Sequence, residues 1–312
     1  MSFVSFESAL KYLNDLAVVA IPTETVYGLA ANGTNDQAVA KIYALKNRPQ
    51  FNPLIMHVPD IAMAENWAVI SPLAHELMQE FWYKRGASIS FVLNLRERHP
   101  LSLLALAGLN TVAVRRPNHA LAIKVLKNLD FPLAAPSANR SNSLSPTCAN
   151  HVMQSLGDDV LVLDGGECTV GLESTIVDLT KENITVLRLG SVTALDLEEF
   201  GAVIIADPNA AITAPGMLKR HYAPNRPLKI NVVQKEPGMA FLGFGSCVNA
   251  EINITEFNLS ESANLVEAAT NLFKYLHKVD RLPFTSIGVA PIPNYGIGEA
   301  INDRLKRACS EQ

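Results

Sequence analysis

The chain has 312 residues, 48% of them hydrophobic, and a formal net charge of −4. That length predicts one large domain or two, at about 100–200 residues each, and no apolar run approaches the ~20 residues of a membrane helix. The acidic balance argues against a dedicated nucleic-acid binder, which is basic in bulk.

In chain order, a strand is expected at residues 16–21, stopped by Pro22, which has no N–H for a ladder. Thr23, Glu24 and Thr25 follow, then Gly28. A helix comes next, with Asn35 as its cap and Ala38, Ile42 and Leu45 recurring as one buried stripe. Lys46 and Arg48 end it, Pro49 prevents its continuation, and a strand at 54–58 carries His57. Cations and hydroxyls thus fall on loops between buried elements, where binding groups gather. Each also has a plain reading: Lys46 complements its helix dipole, the threonines shape a turn, and His57 is a satisfied core histidine.

A helix at 71–82, a strand at 88–95, a strand at 111–114 and a helix at 119–128 follow. The stretch 131–147, FPLAAPSANRSNSLSPT, ends a short apolar strand at Pro136 and releases a run of hydroxyls and amides. Such a loop offers many short donors, as a polyanion requires where no G-x-x-x-x-G-K-[ST] sequence supplies a glycine cradle. Strands at 174–179 and 184–189 read as a hairpin. Helices interspersed with hairpins and crossovers predict a mixed α/β sheet.

Residues 201–227 crowd together Pro208, Pro215, Gly216, Pro224 and Pro227, and read as a connector. A small α/β unit follows, with a helix through Leu265, Ala269, Leu272 and Leu276, a strand at 286–290 and a helix at 298–309. Gly243/Gly245 and Gly296/Gly298 lack the third glycine of a dinucleotide fingerprint and read as turns. Cys148, Cys168, Cys247 and Cys309 form no CxxC pair, which predicts reduced thiols and a cytoplasmic protein. The opening MSFVSFESALKYL lacks the features of a signal peptide.

Several motifs carry a resemblance: PTETVYGL, KNRPQFNPLIMH, TVAVRRP, PLAAPSANRSNSLSPT and LDGGECTVGLESTIVDL, then APGMLKRHYAP and NYGIGEAINDRLKRA. Together they resemble the YrdC/Sua5 family of threonylcarbamoyl-AMP synthases, in its longer two-domain form, over nearly the whole chain. The resemblance implies a YrdC-like twisted mixed sheet with helices at 1–200, a linker or lid at 201–227, and a smaller Rossmann-like α/β domain at 228–312. It implies L-threonine, bicarbonate or CO2, and ATP as substrates, with threonylcarbamoyl-AMP and pyrophosphate as products. The adenylate would serve the t6A37 modification of tRNAs reading ANN codons, with transient contact to tRNA or a threonylcarbamoyl-transferase complex. Mg2+ is expected with ATP.

By the same resemblance, Lys46, Arg48, Ser137 and Asn139 are expected on the phosphates, with Lys46 and Arg48 as the catalytic cations. Asn52, Thr111, Ser145, Arg188 and Tyr222 are expected on the nucleotide. Thr23, Thr25, His57, Arg115, Ala135 and Ser174 are expected on threonine. Arg115 suits that task independently, since a guanidinium fork matches a carboxylate, whereas Arg116 is expected on the solvated face. Glu173 and Asp164 are left open between site and structure. No resident metal site is expected. The carbamate carboxylate is itself the nucleophile, which agrees with the lack of a G-x-S-x-G elbow or HExxH.

One departure is visible. The family's compact P-G-P segment is replaced here by the longer, basic run 83–89, read as a remodelled loop. A rival reading is a non-catalytic double-stranded RNA-binding protein, with Lys84, Arg85, Arg96, Arg98, Arg115, Arg116, Lys124 and Lys127 as a basic face. No aromatic-rich platform accompanies it. Carbamoyl-adenylate formation, as in hydrogenase-maturation proteins with a related domain, would need an acylphosphatase-like region that the sequence lacks.

Overall fold

The computed structural model describes residues 3–158, 160–207, 221–246 and 257–309. Ten strands form the main sheet: β1 (Val19–Ile21), β2 (Gly28–Asn32), β3 (Ile55–His57), β4 (Ile89–Asn94), β5 (Thr111–Arg115), β6 (Leu133–Ala134), β7 (Leu161–Val162), β8 (Thr175–Asp178), β9 (Ile184–Arg188) and β10 (Val203–Ile205). They lie in the order β10-β9-β8-β4-β5-β3-β6-β2-β1-β7. Parallel pairing of β3 with β5 and β4 with β8 alternates with antiparallel pairing of β4 with β5 and β8 with β9. The sheet is therefore mixed, as expected. Ile89 to Leu93 are buried without alternation, so β4 is covered on both faces.

Three local expectations need correction. Leu16 adopts a left-handed backbone, φ 59°, and the first strand starts only at Val19. In the helix Asp36–Lys46 the buried residues are Ala38, Val39, Ile42, Tyr43 and Lys46, while Leu45 is 40% exposed. Successive residues turn by about 100°, so Val39, Ile42, Tyr43 and Lys46 centre the buried arc and Leu45 falls at its rim. The helix capped by Ser71 runs over Pro72–Met78 and then loosens into a π-helical turn at Gln79–Lys84. The segment after it is tied down by Arg85, which pairs with Glu80 and Glu199 at 2.9 and 2.8 Å and lies over the Phe81 ring.

A second sheet is wholly parallel: β11 (Leu228–Lys229), β12 (Met239–Leu242) and β13 (Ser286–Val289), in the order β11-β13-β12. Its core draws on the amphipathic helices Leu265–Val279 and Ile297–Cys309. Leu144, Leu172 and Tyr222 belong to this same cluster, so residues between the two sheets share its apolar packing. Gly245 and Gly296 adopt positive φ, as turn glycines do, but Gly298 lies inside the last helix against the Pro293 carbonyl. Within the stretch read as a connector, Val203–Ile205 joins the main sheet as β10. Of its APGMLKRHYAP segment, residues 214–220 lie outside the described residues, as does Cys247. Among the described residues, no helix is long and apolar enough to cross a membrane.

Candidate active site

One face of the sheet opens into a cleft lined by Thr23, Gly28, Arg48, Ile55, His57, Arg115, Ala135, Ser137, Glu173, Arg188, His221 and Tyr222, among others; Ile55 and His57, two apart on β3, point the same way. The topology explains the convergence. β3 and β5 run parallel with His57 abreast of Arg115, and β6 pairs antiparallel on the other flank of β3, Leu133 against His57. The loops leaving β1 and β6 come in over the N-terminal end of β3, where the Ala135 N–H bonds the Ile55 carbonyl and Gly28 bridges Ser137. The C-terminal ends of β3 and β5 carry His57 and Arg115, and β9 delivers Arg188 from further along the sheet.

Two polar groups fill the cleft walls. In the first, Arg115 Nη2 donates to Glu24 Oε1 at 2.6 Å and to Thr25 Oγ1 at 2.8 Å. Glu24 also accepts from Ser88 Oγ at 2.8 Å and the Asn118 N–H at 3.0 Å. Burial works to raise the Glu24 carboxyl, but Arg115 and Ser88 outweigh it and hold it below the usual carboxylate range. Thr23 Oγ1 bonds Thr25 Oγ1 at 3.0 Å and donates to the Val26 carbonyl at 2.6 Å. His57 is buried, and burial together with the Arg115 charge pushes it down to about 3, so it is neutral.

The second group is cationic. Lys46 Nζ donates to the main-chain carbonyls of Ser137 and Asn139, which ties the end of its helix to the 137–143 loop. Arg48 donates to the Asn52 and Pro53 carbonyls at 3.2 and 2.9 Å. Arg188 donates from Nε to the Ser174 carbonyl and from Nη2 to Ser174 Oγ, at 3.0 and 3.1 Å. Burial, then the neighbouring Arg48 charge, pushes Lys46 well below the usual lysine range. Arg48 is driven down to about 10, chiefly by burial. His221 is lowered by burial and then by Arg48, Lys46, Arg188 and Arg304. Cations gathered this closely without an acid for each favour an anion among them.

Buried polar atoms that lack a partner point to the same place. Among the described residues these include both amide atoms of Asn52, Asn139 Oδ1, Arg115 Nε, His221 Nδ1 and the Tyr222 hydroxyl. A buried polar group without a hydrogen bond is costly. Their concentration around one cleft marks groups arranged for a ligand.

The expected residues divide accordingly. Thr23, His57, Arg115 and Ala135 line one part of the cleft, and Arg48, Ser137, Arg188 and Tyr222 another. Thr25, Lys46, Asn52, Asn139, Ser145 and Ser174 are buried behind or beside them. Thr111 lies outside the lining, at the Asn94 end of β5 and four residues from Arg115. Extending the β3–β5 register would set it abreast of Pro53. Arg116 is half-buried and tied down: it donates to the Pro59 and Trp82 carbonyls at 3.0 and 3.1 Å and stacks on Tyr83.

Two open assignments are resolved. Glu173 is a cleft residue, paired with Arg304 at 2.9 Å. Asp164 is structural, accepting from the Tyr27 hydroxyl at 3.0 Å. Sequence reasoning gave Glu24 and Arg304 no role; a lone acid after Thr23 and an arginine in a C-terminal helix carry no local signal of a partner far away in the chain. The basic face of the RNA-binding reading is not supported. Arg115 is buried against Glu24, Lys84 and Arg85 pair with Glu80, and Lys124 covers the Phe6 ring.

Comparison with known proteins agrees with this site. A family model of the Sua5/YciO/YrdC group, described as "Telomere recombination", matches residues 11–190. A second, described as "Threonylcarbamoyl-AMP synthase, C-terminal domain", matches residues 184–310. The threonylcarbamoyl-AMP synthase of Bacillus subtilis is 35% identical, covering 96% of this chain and 91% of its own. The crystal structure of Pyrococcus abyssi Sua5 complexed with L-threonine superposes with a TM-score of 0.87 at 32% identity, covering 97% and 94% of the two chains. A variant of that Sua5, with an adjacent histidine and tyrosine replaced by alanines, gives 0.86 at 32% identity, covering 97% and 92%. The chain belongs to the Sua5/YrdC family of threonylcarbamoyl-AMP synthases, in its two-domain form.

Proposed function

We propose that this chain makes threonylcarbamoyl-AMP and pyrophosphate from L-threonine, bicarbonate or CO2, and ATP, for the t6A37 modification of tRNAs reading ANN codons. The observation that carries the reading is one cleft with a polar pocket around Arg115, His57 and Thr23 beside a cationic pocket around Arg48, Lys46 and Arg188. Threonine occupies the first and the triphosphate the second.

The neutral amine of threonine adds to CO2, forming an N–C bond and releasing one proton to solvent, to give a carbamate anion. One carbamate oxygen attacks the α-phosphorus of ATP; the new bond is O–Pα, and the bond to the bridging oxygen of pyrophosphate breaks. No side chain need act as nucleophile, so the protein's contribution is positioning and charge stabilisation. Arg115 offers threonine's carboxylate the unpaired Nε edge of its guanidinium, since Nη2 is committed to Glu24 and Thr25. Lys46, Arg48 and Arg188 neutralise the charge that builds on the leaving pyrophosphate. The Asn139 and Asn52 amides and the Tyr222 hydroxyl supply neutral hydrogen bonds.

Magnesium enters as part of the MgATP substrate. The acids at the site are already engaged, Glu173 in the cationic pocket by Arg304 and Glu24 at the threonine end by Arg115. The ion would keep water for most of its remaining ligands. The product adenylate is labile, and a threonylcarbamoyl-transferase complex acting on tRNA would consume it.

The test is pyrophosphate release by purified protein with ATP, Mg2+ and bicarbonate, with and without L-threonine. Release should require threonine, and serine should serve less well, because one methyl-sized contact is worth about 1–3 kcal/mol. Release that ignores threonine would overturn the assignment.

A further inference from the structure

The last helix sends one side chain, Arg304, against the residues that wall the active cleft. Arg304 is 1% exposed, and every part of its guanidinium is engaged. Nε donates to Glu173 Oε2 at 2.9 Å, Nη2 to the Leu189 carbonyl at 2.8 Å, and Nη1 to Asp303 at 2.7 Å. The same group lies 5.1 Å from the centroid of the Tyr222 ring. Glu173 and Tyr222 both line the cleft, so this arginine reaches the site through two residues that face the ligand.

Glu173 is the acid that lines an otherwise cationic pocket. Its Oε1 accepts from Ser145 Oγ, and its Oε2 is held by Arg304. Arg188 lies close enough for its charge to act on Glu173 as well, but its own donors go to Ser174. Arg188, in the same lining, bonds the residue next to Glu173, so two arginines flank one carboxylate and Arg304 holds it.

We infer that Arg304 is a positioning residue for the adenylation step: by engaging Glu173 it leaves Arg188 on Ser174, facing the nucleotide. This rests on the adenylate-forming reading above. Without Arg304, an uncompensated buried carboxylate remains in the cleft. Its next partner is Arg188, and the movement that pairs them removes a cation from the triphosphate and leaves an acid turned toward it. The second α/β unit is therefore part of the ATP site through one side chain. The reaction at the threonine end, built around Arg115 and Glu24, does not depend on that side chain.

ATP and threonine affinities measured separately by titration calorimetry test the idea without needing turnover. Arg304→Met should weaken ATP binding by on the order of tenfold or more, with threonine affinity changed much less. Arg304→Lys should fall between the two. Adding Glu173→Gln to Arg304→Met should recover most of the ATP affinity, because the acid that captures Arg188 is gone. Thermal melting of each variant checks that it is folded. Should Arg304→Met alone not fold, near-native ATP affinity in the double variant supports the inference, and a tenfold loss in that folded double variant overturns it. An Arg304→Met protein that binds ATP as tightly as the parent, or that loses ATP and threonine affinity equally, also overturns it. Failure of the adenylate reading would show elsewhere, as pyrophosphate release by the unsubstituted protein that does not depend on threonine.

Discussion

Glu24 and Arg115 form a buried ion pair across the mouth of the sheet, 2.6 Å between Oε1 and Nη2, with both carboxylate oxygens and one guanidinium nitrogen fully engaged. The pair fixes which edge of Arg115 remains for a ligand. Glu24→Ala leaves that arginine buried and unpaired, and breaking such a pair costs about 3–5 kcal/mol. Urea unfolding should show that loss, and threonine binding should fail in the fraction that stays folded. An unchanged unfolding midpoint would mean that solvent already screens the pair.

Lys46 has a structural and an electrostatic task together. It is the final residue of its helix, buried, and holds the Ser137 and Asn139 carbonyls. Lys46→Met should therefore lower stability as well as activity, by about 1–3 kcal/mol for each carbonyl left without a donor. The sequence alone suggests a cation on a loop whose loss spares the fold; the burial argues otherwise.

The same burial predicts proton uptake. The lysine is held below its usual range by desolvation and by Arg48, and the negative charge of incoming phosphates offsets both in part. Between the free and bound values, ATP binding takes up a proton. Calorimetry in buffers of different ionisation enthalpy, repeated at several pH values, measures it directly, and a heat independent of buffer at every pH would refute it.

Acid should loosen the fold through four histidines, one of them His221, which burial and the neighbouring cations hold low. His57 and His151 are lowered to about 3 and His277 to about 4, each mainly by burial. His151 and His277 stack 3.8 Å apart, bringing a helix beside the main sheet against one beside the second. With folded values below the ordinary 6.5, the unfolded chain takes up protons first. The stabilisation is whole above pH 6.5 and is lost as pH falls toward 4. Glu24 and Glu173, also held low, add losses of the same sign at still lower pH. The melting temperature should decline from pH 6.5 to 4, and His277→Gln should flatten that decline.

Gly190 follows β9 where the chain touches β8. A Cβ there would overlap the Thr175 N–H and lie 2.7 and 2.8 Å from Thr175 Oγ1 and the Glu173 carbonyl. Two of these three neighbours are backbone atoms and cannot swing aside. Gly190→Ala should cost about 1–3 kcal/mol and shift the Glu173 to Thr175 segment that holds Arg188. Differential scanning calorimetry, paired with an ATP titration, checks both effects.

Much of this was legible in the sequence for local reasons. Pro22 and Pro49 stop elements because they lack a donor or cannot continue a helix, and Asn35 caps its helix through a short side chain. The hairpin of β8 and β9 and the strand bearing His57 follow from runs of apolar residues. The resemblance to the Sua5/YrdC family gathered Lys46, Arg48, Arg115, Ser137 and Arg188 at one site, and each lies at the end of an element or in the loop after it. Tertiary structure alone decided the rest. Leu45 is exposed and Lys46 buried because the packing partner, not the residue types, sets which arc of a helix turns inward. Glu24 meets Arg115, and Glu173 meets Arg304, across separations of 91 and 131 residues. A charge signals nothing about so distant a partner until the sheet order brings the two together, and that order depends on the burial of every strand at once.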